Sequence, residues 1–168
     1  MSGRKDGIYK MSEKLQIKGL SFENGEWMDI KYTGFGEDIS PCFKFENLCD
    51  EGVSIVIIMD DMDVPFMKEY NHWLIFNIPH TKFIPEAVPC GEVVENLGGA
   101  IQGKAYGKNR YRGPKQPVFI KSVHRYIFKF YVLDCFLNLD SSAKKEDVLL
   151  AMEGHILQEG SILGKYKR

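Results

Sequence analysis

Three apolar stretches with strand-like spacing dominate the chain. Residues 53–59 are β-branched and almost wholly apolar, with Ser54 the one polar member, the pattern of a strand covered on both faces. Residues 72–78 form a second such stretch and run into Pro79, which has no amide to carry a central strand further. In the third, His124–Leu133, alternation puts Tyr126, Phe128, Phe130 and Val132 on one face. Arg125, Ile127, Lys129, Tyr131 and Leu133 fall on the other, so one core face and one mixed face are expected. Upstream, residues 15–31 break into short apolar runs around Gly19 and Asn24-Gly25, and Asn-Gly between strand-like segments predicts a hairpin. Residues 34–41 read as a loop that leads into a short strand through Cys42, Phe43 and Phe45. Residues 80–122 are rich in Gly and Pro and read as a long irregular connection, of the kind that carries function. Helical spacing appears only after Ser142, where Val148, Leu149, Met152 and Ile156 predict one or two short helices interrupted by Gly154. Strands over most of the chain, helix at its end and no βαβ alternation predict a mainly β fold. The expected architecture is an antiparallel, Greek-key-like β-sandwich with one or two short C-terminal helices.

Length and composition narrow the function classes. A chain of 168 residues with 44% hydrophobic positions supports one core, so residues 1–168 are expected to form a single domain, with residues 1–10 as a flexible N-terminus. The 22 Lys and Arg against 23 Asp and Glu leave a net charge of -1, which provides no global field for nucleic acid. Cys42, Cys49, Cys90 and Cys135 form no CxxC pair and read as free thiols of a reducing compartment. With no apolar leader and no run near the roughly 20 residues of a membrane span, a cytoplasmic location and no membrane span are expected.

Four groups of residues carry candidate chemistry. Gly98 to Lys104 satisfies G-x-x-x-x-G-K, yet Ala105 stands where a P-loop needs a hydroxyl, and the glycines and proline that follow preclude the helix that a phosphate cradle requires. The second group is Asp61, His72 and His124, each at an end of one of the three long strands. If those strands share a sheet, the three converge at one rim. They would there suit a facial metal triad, a small-anion site, or merely three satisfied strand ends. The third group is Asp61-Met-Asp63-Val-Pro65. Here Asp63 is expected to form a structural ion pair with Arg125, and Val64-Pro65 is a candidate cis bond in the turn. The fourth runs from Tyr111-Arg-Gly113-Pro114 to His124-Arg-Tyr126, with Gly113 expected to let the backbone approach a ligand. His80 reads as surface loop and His155 as a helix-face residue.

In order, Asp61-x-Asp-x-Pro65, His72-Trp73, Tyr111-x-Gly113-Pro114 and His124-Arg-Tyr126 resemble the phosphatidylethanolamine-binding protein family, especially its prokaryotic Raf-kinase-inhibitor-like branch. The likeness runs from Ile39-Ser40-Pro41 to Gly154-His-Ile and Gly164-x-Tyr166. The resemblance implies a β-sandwich with an anion pocket formed by Asp61, Pro65, His72, Gly113, His124 and Tyr126. That pocket would hold a phosphate-like group or a phospholipid head group, with no cofactor and no metal. It also implies a non-enzymatic regulator or inhibitor of a partner kinase or protease, and a homodimer. Met62, Val64, Lys115 and Gln116 depart from the family pattern, and Lys115 would bring an ammonium to the pocket mouth. The alternatives are a hydrolase or lyase using His124 or His72 as a base oriented by Asp61, or a metal on the same three residues.

Overall fold

The computed structural model describes residues 13–168, so the segment 1–10, expected to be flexible, lies outside the described residues. Two sheets form the frame. The smaller joins β1 (Ile17–Gly19), β3 (Phe43–Phe45) and β6 (Phe83–Ile84) in the order β1-β3-β6. The larger contains β2 (Glu26–Trp27), β4 (Ser54–Asp61), β5 (Tyr70–Pro79), β7 (Val93–Val94), β8 (Ala100–Gln102), β9 (His124–Leu133) and β10 (Ile156–Tyr166). Its order is β2-β10-β9-β4-β5-β8-β7. Among the described residues one α-helix, α1 (Lys145–Ala151), completes the fold. The mainly β sandwich read from the sequence is therefore observed, with every strand pair antiparallel except β2 with β10, which run parallel.

The three apolar stretches are the centre of the larger sheet, in the order β9-β4-β5. All eight residues of β4 are buried because both faces are covered. On one side Ile55, Ile57 and Met59 join Trp73, Ile75, Phe128 and Phe130 beneath the smaller sheet. Phe43 packs on Phe128 and Phe130 with ring centroids 5.2 and 4.9 Å apart. On the other side Val56, Ile58, Leu74 and Phe76 meet Val148 and Met152 of the α1 segment. The helix is fastened by charge as well as by burial. Asp60 is fully buried on this face, and Lys145 Nζ lies 2.7 Å and Lys129 Nζ 3.2 Å from its carboxylate. Burying a carboxylate requires such partners.

Five local expectations are corrected. The Asn24-Gly25 turn forms, with Gly25 at φ 85°, but β1 and β2 on its two sides belong to different sheets rather than to one hairpin. Asn24 instead accepts the Leu163 amide at 2.8 Å and so holds the turn against β10. The chain closes in a strand of eleven residues, β10, not in helix. α1 ends before Gly154, whose φ of 79° is the left-handed turn that glycine makes readily, and His155 lies in that turn rather than on a helix face. Residues 80–122 are also not a plain connection, because they contribute β6, β7 and β8. The buried Gln102 organises them. It accepts the Trp73 indole N–H at 2.8 Å and donates to the carbonyls of Pro89, Gly91 and Asn109. Finally, all peptide bonds among the described residues are trans, Val64–Pro65 included. The reversal there is made by Phe66, at φ 64°, and by the Met67 amide donating to the Val64 carbonyl.

Candidate functional site

Register brings the polar strand ends to one rim. β4 runs antiparallel to β9 with Asp61 opposite Tyr126, and His124 lies two residues away on the same face of β9, the diagonal position of a cross-strand pair. His124 Nδ1 and Asp61 Oδ2 are 2.8 Å apart. The second Asp61 oxygen accepts the Asp63 amide at 2.9 Å, so both oxygens are engaged. His72 arrives by a different device. Met59 pairs with Trp73 and Asp60 with Asn71, so His72 is an extra residue bulged out of β5. A bulge reverses the alternation downstream of it. Asn71 is thereby placed to donate to Asp60 at 3.1 Å, while the His72 ring meets Tyr126 at a centroid distance of 5.4 Å.

These groups are out of water. Asp61 and His124 are 3% exposed, His72 4% and Tyr126 1%. Burial pushes His72 below the ordinary histidine range, and its Nδ1 lies 2.8 Å from the Arg112 carbonyl. That contact makes Nδ1 the donor of a neutral ring and leaves Nε2 as an acceptor. Burial, reinforced by the Asp61 charge, pushes the Tyr126 phenol well above the usual tyrosine range, so it remains a neutral O–H. His124 differs from both. Its Nδ1 is committed to Asp61, and its Nε2 is buried without a hydrogen-bond partner. Such a group costs about 1–3 kcal/mol when left unmet.

The remaining expected site residues divide between scaffold and rim. Gly113 serves packing: a Cβ there would stand 2.0 Å from the Tyr32 carbonyl oxygen, and its amide donates to Asp38 at 2.7 Å. The close approach it permits is to the protein's own backbone. Pro65 is exposed at the start of the β4–β5 turn. Asp63 receives Arg125 through Nε and Nη2, both at 2.9 Å, and through its amide at 2.8 Å. This fork holds the Asp63 carboxyl below its usual range. Lys115 is exposed with its stem against Gly34. Gln116 is buried, where it donates to the Ser122 carbonyl and accepts the Arg168 amide. His80 is exposed, its Nε2 2.9 Å from the Cys49 carbonyl. No helix follows Gly103-Lys104, and the Lys104 ammonium donates to Asn109.

Three contributors to the site were not singled out from the sequence. Tyr106, at φ 54°, covers His72 edge-on at 4.9 Å, and the Arg112 guanidinium stacks on its outer face at 3.9 Å. Asp38, at φ 57°, fixes the Gly113 loop through that amide and through Arg110. The glycine beside Tyr106 was the available signal for the first, and the polar loop 34–41 for the last. Among the described residues, the set of His, Cys, Asp or Glu whose ligand atoms gather within 4.8 Å is Asp134, Cys135 and His155. Asp61, His72 and His124 do not gather in this way, so the facial-triad alternative does not describe this rim.

Comparison with known proteins agrees with the architecture. A phosphatidylethanolamine-binding protein homologue from Chlamydia trachomatis superposes with a TM-score of 0.80 at 29% identity, covering 94% of this chain and 99% of that one. YbcL of E. coli, described as a member of the mammalian family, gives the same TM-score at 20% identity over 93% and 99%, which bears on fold alone. UPF0098 proteins of Pyrococcus horikoshii and Methanothermobacter thermautotrophicus are 42% and 39% identical over 93% and 92% of the chain, spanning 79% and 99% of their own lengths. The model of the phosphatidylethanolamine-binding protein family matches residues 18–167, and the chain belongs to that family.

Proposed function

We propose that this protein binds a small anion, a phosphate or a phosphoethanolamine-like head group, at the rim formed by His124, His72 and Tyr126. The observation that carries the reading is the orphaned His124 Nε2. Asp61 fixes the ring through Nδ1, and when Nε2 also carries a proton it is a charge-assisted donor aimed where an anion oxygen belongs. Tyr126 supplies a neutral O–H beside it. His72 enters as a neutral ring. Tyr106 packs edge-on against His72, with the Arg112 guanidinium on the Tyr106 ring.

Around the rim, loops from adjacent strands carry apolar side chains in water. Phe66 is 107% exposed and Phe119 80%, with Met67 and Val118 beside them. Exposed apolar tips of this kind mark docking surfaces. They support the further reading that a partner enzyme, a kinase or a protease, is regulated through this end of the molecule.

The test uses sulfate, whose own charge is constant near neutrality. Calorimetry should show tighter binding at about pH 5.5 than at about pH 8, as an imidazole site requires, and no binding in His124→Ala. Equal affinity at both values, or full affinity in the variant, would overturn the proposal. A second reading keeps the same dyad as general base, since Asp-oriented imidazole with a free Nε2 is also acid–base geometry. No nucleophile supports it: Ser40 Oγ is occupied by the Val88 amide and Cys42 by Ser21. Turnover of phosphoesters that is lost in His124→Ala would favour it.

A further inference from the structure

The two ends of β9 both carry an aspartate–histidine contact, and the second has no place in the anion site. Asp134 follows β9 directly and His155 precedes β10 directly. The Asp134 amide donates to the His155 carbonyl at 3.1 Å, which extends the ladder one step beyond its last paired residues. Cys135 is tied to a third strand, because Ser54 of β4 donates to its carbonyl at 2.5 Å. Chain continuity with β9 and β10, the Asp134–His155 backbone hydrogen bond and the Ser54 hydroxyl of β4 therefore fix the positions from which a carboxylate, a thiol and an imidazole project. Asp134 Oδ1 and His155 Nδ1 are 2.8 Å apart, and the Cys135 sulfur lies with them within 4.8 Å. β9 spans ten residues, so this cluster stands about 30 Å from His124 at roughly 3.3 Å per residue.

The donor set selects a class of ligand. One sulfur, one imidazole nitrogen and one carboxylate oxygen suit a borderline-soft divalent ion and disfavour calcium or magnesium, which take oxygen shells. Zinc bonds of about 2.0–2.3 Å at tetrahedral angles place ligand atoms roughly 3.3–3.8 Å apart. Side-chain adjustments of about 1 Å convert the observed cluster to that geometry without moving a strand. Two deprotonated ligands, thiolate and carboxylate, match a charge of +2. Side-chain exposures of 46% for His155 and 32% for Asp134 leave an entry path from solvent. The rival use of the same three groups is a cysteine nucleophile with a histidine base. It is disfavoured because His155 Nδ1 meets the Asp134 carboxylate rather than the thiol.

We infer that Asp134, Cys135 and His155 form a zinc-class metal site with three protein ligands and an open fourth position, at the end of the sandwich opposite the anion rim. Three ligands and one free position leave room for water or for a donor from another molecule. No CxxC or HxxxH spacing announces it, since two ligands are consecutive and the third lies on the far side of α1.

Cobalt(II) is the probe, added to the full chain after chelator treatment. The expected result is one cobalt per chain with a thiolate-to-metal charge-transfer band in the near ultraviolet, displaced by zinc. Cys135→Ser should abolish the band, and His155→Ala, at an exposed position, should weaken uptake at least about tenfold. Zinc should raise the melting temperature of the parent protein and not that of His155→Ala. Cys90→Ser should leave uptake unchanged, because Cys90 is a separate exposed thiol. Absence of the band at millimolar cobalt, its survival in Cys135→Ser or its loss in Cys90→Ser would overturn the inference. Failure of sulfate binding would leave it untouched.

Discussion

Two aspartate–histidine contacts, one at each end of the larger sheet, have the same length and opposite surroundings. Asp61 with His124 and Asp134 with His155 each place a carboxylate oxygen 2.8 Å from Nδ1. The first pair has side chains 4% and 5% exposed, the second 46% and 32%. Distance alone therefore says little about what a charged contact does. In water the attraction is screened and each partner is readily solvated when alone, so such pairs contribute about 1 kcal/mol or less. In the interior neither partner has water to fall back on, and removing one leaves the other stranded. Hence the largest expected effect: in chelator-treated protein Asp61→Ala should cost about 3–5 kcal/mol in urea denaturation, and Asp134→Ala about 1 kcal/mol or less. Equal losses would mean that burial does not separate the two pairs.

Glycines extend the contrast. At the buried end, Gly113 is glycine because Tyr32 backbone occupies the space of a Cβ, 2.0 Å away. At the exposed end, Gly154 has nothing within 4 Å of that position and is glycine for its φ of 79°. Gly113→Ala must push one backbone segment off another, which should cost about 1–3 kcal/mol and weaken sulfate binding by displacing the Arg112 carbonyl from His72. Gly154→Ala keeps its surroundings and bears only the left-handed backbone, about 1 kcal/mol. Thermal melts of the two variants compare steric with conformational cost. A larger loss at Gly154 would place the rigid end of the molecule at the wrong pole.

What could be read from the sequence follows the same division between periodic burial and local geometry. β4, β5 and β9 were legible because alternation and β-branched runs report burial directly, and they fix which residues stand at the rim. The ordered motifs around Asp61, His72, His124 and Tyr126 pointed to one end of one sandwich. What periodicity could not report was the bulge that turns His72 toward Tyr126, since an extra residue leaves the apolar pattern of residues 73–78 intact. The Asn24-Gly25 turn misled because turn chemistry specifies a reversal and not the strands it joins. Helical spacing was read as far as Ile156, and the rest of β10 went unread because Gly160 and Gly164 leave gaps in its alternation. Both glycines admit neighbours that a Cβ would meet at 2.4–2.6 Å, namely the Leu15 backbone and the Met28 side chain. Gly113 was assigned to a ligand because close approach is visible in a glycine, whereas what approaches is not.

The smallest expected effect separates charge from shape at the buried rim. His72 is pushed down by burial, so the unfolded chain takes up a proton near the reference value of about 6.5 while the folded one refuses it. Between those two values the unfolded state binds more protons, and stability must fall as pH falls. The contribution is whole above about pH 6.5 and is lost from there down to the depressed folded value. For a single histidine that stays neutral when folded, the loss between about pH 7 and about pH 6 is at most about 0.7 kcal/mol. The measurement is the difference in urea stability between the parent protein and His72→Gln across that interval, which cancels the other histidines. Sulfate sharpens it. An anion at the rim stabilises any proton taken up there, so saturating sulfate should flatten the difference or reverse its sign. A pH dependence identical with and without sulfate would mean that His72 does not face the anion, and would confine recognition to His124 and Tyr126.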